Sequence, residues 1–370
     1  MEKFFHVIDS ADFNPLLFNS IKYSDRNQFQ YTVVSLSNDG PLKEQVELAG
    51  ARFIGLDILP KRKYISGFRK LYRLFKNEKP AFVQTHLFKS SLIGLSAAKL
   101  AKVPVRIFTG HHSHEVPLYH RPLLTWVDGI NGRWLANHSI APSQNMKDIF
   151  IRSQRIPDEK ITVIPHGFDL EAWRNSASKE CDLRAELKLE GKMIFGATGR
   201  LFWVKNFPLL IRSFTEFAKT NSDTVLLIAG DGGERGEIGQ LISDLNMSKR
   251  IMLLGRRSDI AGVMKNFDVF IHPSLAESFG MVYIEAFALG KPTISSKVGI
   301  APDIIKDKKN GLLVDAGDEI QFVNAMQDMY QHREKWSSIA NDLQAIADEY
   351  DVRKTQHLCD EYYTKWLNQK

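Results

Sequence analysis

The chain has 370 residues, of which 44% are apolar and 25% charged, and a net charge of +6. That balance excludes a disordered, collagenous or disulfide-scaffold protein, and at roughly 150 residues per domain the length predicts two domains. Two cysteines, Cys181 and Cys359, are too few for a disulfide framework and suit a reducing, cytoplasmic compartment.

The opening residues MEKFFHVIDSAD carry Glu2, Asp9 and Asp12 and lack a long apolar core, so they read as a first strand and not as a secretory signal. No apolar run reaches the roughly 18 residues of a membrane span. Apolar runs at 4–9, 31–36, 51–56, 81–86, 105–110, 139–143 and 161–165 form one series of expected strands. A second series lies at 193–199, 224–230, 251–255, 268–273, 292–296 and 311–314. Most are rich in Val, Ile, Leu and Phe without polar alternation, as parallel strands covered on both faces are. Amphipathic stretches such as 87–101, 206–219 and 318–330 separate them, which predicts α/β architecture with parallel sheets. The polar stretch 166–192 reads as the connection between domains spanning 1–168 and 169–349, and from about 334 the chain reads as helical, with 350–370 expected to pack back on the first domain.

Residues 1–168 hold 23 Lys and Arg against 14 Asp and Glu, a net of +9, while the remainder carries −3. The excess concentrates in KRKYISGFRKLYRLFKNEK, residues 61–79. Tyr64, Phe68, Leu71, Tyr72 and Phe75 recur at helical spacing there, a stripe expected to pack on the sheet. Lys61, Arg62, Lys63, Arg69, Lys70 and Arg73 lie outside that stripe and suit the anionic headgroups of a membrane surface. No nucleic-acid-binding motif accompanies them, so nucleic acid is not an expected partner.

Two junctions carry candidate chemistry. After the strand 193–199, Arg200 and Lys205 place two cations at a strand-to-helix turn, where they suit a diphosphate and the charge on a leaving nucleotide. In DVFIHPSLAESFGMVYIEAFALGKP, residues 268–292, Glu277 precedes a helix and Glu285 lies two turns into it. Eight residues at 1.5 Å rise separate the carboxylates by about 12 Å, the reach from the sugar to the ribose of a nucleotide-sugar. The helix N-terminus between them suits the diphosphate, and Gly280 permits close approach. Gly230, Gly232 and Gly236 fall one residue off the dinucleotide fingerprint. No D-x-D and no P-loop motif occurs.

These segments resemble the retaining glycosyltransferases of family four, through ESFGMVYIEA at 277–286, the Arg200 and Lys205 pair, VIPHGFD at 163–169, LLIAGDG at 226–232 and GLLV at 311–314. The resemblance is specific over the C-terminal half and looser before it. It implies the GT-B fold, two facing Rossmann-like domains with a cleft between them. The implied activity is metal-independent transfer, without cofactor, of a sugar from a nucleotide-sugar, most simply a UDP-sugar, to a lipid-linked or oligosaccharide acceptor in surface-polysaccharide synthesis. By the same resemblance Glu277 contacts the donor sugar, Glu285 the ribose, and Arg200 and Lys205 the diphosphate. The backbone of Ser278, Phe279, Gly280 and Met281 cradles phosphate and sugar, and Gly255 and Arg256 hold the nucleobase. His111, in VRIFTGHHSHE, stands where family members place a histidine near the reaction centre, with His112 its substitute if the register shifts by one. The His111–Glu115 cluster matches no standard zinc spacing. The first loop, DSADFNP at 9–15, departs from the family by having no glycine pair, which leaves Asp9, Asp12 and Asn14, together with His86, as acceptor-side candidates. A sugar phosphorylase, a nucleotide-sugar epimerase and a basic membrane- or nucleic-acid-binding module remain the alternatives.

Overall fold

The computed structural model describes residues 1–12, 14–58, 63–110, 122–179 and 181–369. Among them the chain divides into two compact units, Met1–Phe168 with Asp351–Lys370, and Asp169–Tyr350.

The first unit carries a seven-stranded parallel sheet of β1 (Glu2–Ile8), β2 (Phe29–Ser35), β3 (Arg52–Gly55), β4 (Phe82–His86), β5 (Val105–Thr109), β6 (His138–Ala141) and β7 (Ile161–Val163). Their order is β3-β2-β1-β4-β5-β6-β7. The second unit carries a six-stranded parallel sheet of β8 (Met193–Thr198), β9 (Thr224–Ala229), β10 (Ile251–Gly255), β11 (Val269–His272), β12 (Thr293–Ser296) and β13 (Leu312–Val314), in the order β10-β9-β8-β11-β12-β13. Every expected strand is present. Each sheet reverses its winding once, between β1 and β4 and between β8 and β11. Ligands of doubly wound sheets bind at such a switch point, beyond the carboxyl ends of the strands.

Both sheets bury both faces, which is why their strands lack polar alternation. In the second unit Phe195, Leu226 and Ile228 pack with Leu210 and Phe214 of the helix Phe207–Ala218, whereas Ile194, Val225 and Leu227 pack on the other side with Phe267 and Ala286. In the first, Val7, Val34 and Val83 pack with Leu71 and Phe75 of the helix Tyr64–Glu78 and with Ile93 and Ala97 of the helix Phe88–Leu100. The predicted aromatic stripe is therefore core at Leu71 and Phe75, while Arg69, Lys70 and Arg73 lie on the exposed face. Lys61 and Arg62 lie outside the described residues.

The opposite face of the first sheet receives the last helix, Val352–Asn368, whose Tyr363 and Trp366 pack with Phe4 and Phe82. Tyr363 Oη donates to Gln84 Oε1 at 2.9 Å, and the buried Asp360 accepts from Asp25 N at 2.8 Å. The stretch 166–192, read from sequence as a bare connection, contains two helices of the second unit, Leu170–Ala177 and Leu183–Leu187. Asp169 and Asp182 cap them, accepting from Ala172 N at 3.0 Å and Ala185 N at 3.1 Å.

Candidate active site

The pairing of Val269 with Phe195 sets the ends of β8 and β11 level at the switch point of the second sheet. The chain after β8 makes a tight turn, Trp203–Lys205, before its helix begins at Phe207, so Lys205 precedes the helix. The chain after β11 runs from Pro273 to Gly280, and its helix is Met281–Ala288, so Glu277 lies in the loop before the helix and Glu285 in its second turn. Leu275 N and Ser274 Oγ both donate to Val204 O, at 2.7 and 3.0 Å, and stitch the two loops together.

That stitching brings Lys205 Nζ onto Glu277 Oε1 as an ion pair. The same oxygen lies 2.7 Å from His272 Nε2. His272 is the last residue of β11 and is 2% exposed, while the Glu277 side chain is 13% exposed. Burial pushes the Glu277 carboxyl up, but the Lys205 charge and the His272 hydrogen bond outweigh it and hold the group at about 2. Burial lowers the His272 imidazole below its ordinary value, against an opposing pull from Glu277, so the ring is neutral at pH 7. A neutral ring facing a carboxylate must donate, which places the hydrogen on Nε2. Glu277 is thus an ionised hydrogen-bond acceptor whose Oε1 is already engaged.

Beside this triad lies an open cleft of about 630 Å³, lined by Arg200, Gly230, Gly232, Arg256, Val282 and Glu285 among others. Its floor is backbone laid against backbone. Gly199 N donates to Ala229 O at 3.1 Å, Leu201 N to Asp231 O at 3.0 Å and Gly230 N to Gly255 O at 2.8 Å. A Cβ on Gly230 would stand 1.8 Å from Gly199 O, so the floor requires glycine there. Gly236 lies in the helix Arg235–Asp244 with open space beside it, which removes the dinucleotide reading of the glycine run. Arg200 and Arg256 are exposed, with the Arg200 guanidinium 5.5 Å from the Phe202 ring centre. Arg257 is committed to a fork on Asp259 at 2.8 and 2.7 Å. Glu285 lines the cleft, and burial pushes its carboxyl up to about 7 against the opposing Lys205 charge.

Phe279 is core, and its carbonyl accepts from Ile300 N at 2.8 Å. Gly299, at φ +57, sits against this loop: a Cβ there would be 2.3 Å from Phe279 O and 2.8 Å from Glu277 Cβ. Sequence reasoning missed Gly299 and His272. A histidine closing a buried strand five residues before Glu277 was the available signal for the second.

In the first unit two of the acceptor-side candidates have partners within the fold. Asp9 Oδ1 accepts from Ser90 N at 2.6 Å at the start of the helix Phe88–Leu100, and Asn14 Oδ1 caps the helix Pro15–Tyr23 through Leu17 N at 3.0 Å. Both side chains therefore serve helix ends, where free N–H groups need acceptors. Asp12 is exposed. His86 Nε2 lies 3.0 Å from His6 Nδ1, and His86 also lines a cavity of about 90 Å³ with Gln84, Thr109 and Tyr363. His111 and His112 lie outside the described residues.

Family models match most of the chain, one described as "Glycosyltransferase Family 4" over residues 17–172 and one as "Glycosyl transferases group 1" over 179–344. The chain is 31% identical over 269 residues to the UDP-Gal:alpha-D-GlcNAc-diphosphoundecaprenol alpha-1,3-galactosyltransferase of Escherichia coli, covering 69% of this chain and 68% of that protein. The chain belongs to glycosyltransferase family 4. This glycosyltransferase is also 28% identical over 332 residues to the capsular polysaccharide biosynthesis glycosyltransferase CapM of Staphylococcus aureus, covering 86% and 84% of the two chains. Its fold is that of HepE from Anabaena, solved in complex with UDP: the TM-score is 0.84 at 24% identity, covering 99% of this chain and 100% of HepE. The family 4 enzyme thus has the GT-B pair of Rossmann-like domains that its sequence pattern implied.

Proposed function

We propose that the enzyme moves a sugar from a UDP-sugar, with retention of anomeric configuration and without a metal ion, to a lipid-linked or oligosaccharide acceptor in surface-polysaccharide synthesis. The observation that carries this reading is the Lys205–Glu277–His272 cluster beside a glycine-floored cleft that holds Arg200 and Glu285. The E. coli relative is named for a UDP-Gal donor and a diphosphoundecaprenol-linked acceptor, and HepE for its UDP complex.

Each group then has a task. Glu285 accepts hydrogen bonds from the ribose hydroxyls. Arg200 and Lys205 neutralise the diphosphate and the charge that grows on it as the glycosidic bond breaks, the task a divalent cation would otherwise perform. Gly255 and Arg256 flank the base, and the backbone of Ser278, Phe279, Gly280 and Met281 borders the phosphates and the sugar. Glu277 Oε1 is engaged by Lys205 and His272, so Oε2 receives the donor-sugar hydroxyls. A carboxylate held at about 2 is a poor proton acceptor and a good hydrogen-bond acceptor, so its role is to orient the sugar. The sequence resemblance assigns His111 a hydrogen bond near the anomeric carbon. The basic face of the helix Tyr64–Glu78, with Lys63, Arg69, Lys70 and Arg73, rests on the inner face of the cytoplasmic membrane.

The test is calorimetric titration with UDP and a panel of UDP-sugars, followed by transfer to a diphosphate-lipid acceptor in EDTA with the product anomer read by NMR. Binding of UDP, retention and EDTA-insensitive turnover are expected. Inversion, loss of turnover in EDTA, or conversion of the donor sugar without acceptor would overturn the respective part of the reading.

A further inference from the structure

The second unit has a further cleft at the other end of its sheet. It holds about 580 Å³ and is bordered by Met193, Val269 and Pro292, where β8, β11 and β12 begin. The cleft that holds Arg200 and Glu285 lies at the carboxyl ends of the strands, with Thr198, the last residue of β8, in its wall. The six residues of β8, at a rise of about 3.3 Å, set the two clefts about 17 Å apart. Leu289, Trp336 and Ala340 continue the apolar wall. They come from the end of the helix Met281–Ala288 and from the helices Arg333–Ser338 and Ala340–Asp348. An apolar wall with a few charged groups, in a cleft of this size, is the make-up of a small-molecule site.

The charges around this cleft do not balance. Asp268 is forked by Arg184 at 2.8 Å to each oxygen and also accepts from Ile194 N at 2.7 Å. Asp223 accepts from Tyr330 Oη at 2.8 Å. These two carboxylates are thus engaged by the fold. Lys291 Nζ reaches a backbone carbonyl, Lys265 O at 2.7 Å, and Lys192 Nζ reaches Ser222 O at 3.3 Å. Arg333 is exposed, with its guanidinium 5.7 Å from the Tyr330 ring centre. Among the described residues none of these three cations has a carboxylate within ion-pair distance, and Glu334 is the one lining carboxylate left without a partner. Burial lowers the Lys291 ammonium below its ordinary value, against an opposing pull from Asp268. Three open cations against one open carboxylate leave an excess of two positive charges. A phosphomonoester carries about −1.5 to −2 at neutral pH and offers three acceptor oxygens to Lys and Arg donors, whereas a carboxylate would leave about half of the excess unmatched.

We propose that this cleft at the amino ends of the second sheet binds a small phosphomonoester with an apolar or ring-shaped body, with Lys192, Lys291 and Arg333 holding the phosphate and Leu289, Trp336 and Ala340 receiving the body. The site is complete within the second unit. It shares no lining residue with the cleft of Arg200 and Glu285, so a ligand here and a nucleotide-sugar there can be bound together.

Calorimetric titration of the full chain with 1-naphthyl phosphate tests it, beside inorganic phosphate and 1-naphthol and with and without saturating UDP. The naphthyl phosphate is expected to bind at least tenfold more tightly than either comparison compound, and within threefold of the same affinity whether or not UDP is present. Lys291→Met/Arg333→Met is expected to weaken it at least tenfold, and Lys291→Arg, which keeps the charge, to stay within threefold of wild type. In spectra of methyl-labelled methionine, the Met193 signal is expected to shift on binding and that of Met281, at the start of the helix beside Glu277, to stay. Affinity no better than that of inorganic phosphate, competition with UDP, or full affinity in Lys291→Met/Arg333→Met would overturn the proposal. Binding of naphthyl phosphate by a chain that ignores UDP would sink the donor reading and leave this site standing.

Discussion

His272 Nε2 and Glu277 Oε1 lie 2.7 Å apart, and Lys205 Nζ is ion-paired to that same oxygen. One carboxylate oxygen is thus saturated from inside the protein, and the other is left for the ligand. A hydrogen bond to a charged group contributes about 1.5–3 kcal/mol, and most of that should appear as orientation of the donor sugar. His272→Phe is expected to lower kcat/KM for the UDP-sugar about 10- to 100-fold while leaving the Kd for UDP, which has no sugar, within about threefold. His272→Gln, which keeps a donor, is expected to recover part of the loss. A Phe variant with wild-type kcat/KM would remove His272 from the mechanism.

Glu277 also links the site to stability. Its carboxyl sits at about 2 in the folded protein against an ordinary 4.5, so the folded state binds this proton more weakly than the unfolded chain does. The resulting contribution, about 3 kcal/mol, is fully present above pH 5 and is lost as the pH falls from 4.5 towards 2. Urea unfolding of wild type and Glu277→Gln at pH 6 and pH 3 is expected to show a stability gap that narrows at the lower pH.

Lys205→Met removes the cation and leaves a buried carboxylate with only His272 beside it. Breaking a buried pair from one side costs about 3–5 kcal/mol, and one of the two cations proposed to hold the diphosphate is lost. Transfer is expected to vanish. The melting temperature is expected to fall further in Lys205→Met than in Lys205→Met/Glu277→Gln, because the double variant leaves no unpaired charge. A double variant less stable than the single one would contradict the ion-pair account.

Glu285 supplies a pH dependence of opposite origin. Burial pushes it up to about 7, so it is largely protonated at pH 6 and ionised at pH 8. Only the carboxylate accepts from both ribose hydroxyls. UDP affinity by calorimetry is expected to rise about tenfold from pH 6 to pH 8, and Glu285→Gln to flatten that rise. A wild-type affinity that falls over this range would place the ribose elsewhere.

Asn14 is expected to matter to the fold and not to transfer. Its Oδ1 caps the helix Pro15–Tyr23 through Leu17 N at 3.0 Å, and Asn14→Ala should cost about 1 kcal/mol with kcat/KM unchanged. An activity loss without a stability loss would restore the acceptor role suggested by its place in the first loop.

Much of this enzyme is legible along the chain because the relevant physics is local. A strand buried on both faces must be a continuous apolar run, and MIFGAT and TVLLIA, all buried, are such runs. The two glutamates eight residues apart, with a glycine between them, mark a helix start without any knowledge of what packs on it. Asp9 and Asn14 show the complementary case: an acidic or amide side chain in a loop after a strand looks the same whether it waits for a ligand or caps the next helix, and only the fold shows that both accept from helix-start N–H groups. His272 carries a weaker signal, a histidine closing a buried strand five residues before Glu277, and only the fold shows that the two side chains meet.

The positions of the strands, the basic excess of the first half and the residue types at the candidate site were set by sequence alone. The state of those residues was not. Glu277 and Lys205 lie 72 positions apart, and they meet only because β8 and β11 are neighbours across the switch point and Val204 O ties their loops. A charge in a poorly solvated site is governed by whatever stands within a few ångströms, and that set of neighbours is created by the tertiary fold. The same carboxyl type therefore ends at about 2 at Glu277 and about 7 at Glu285, a division of labour that the E-x7-E spacing does not contain.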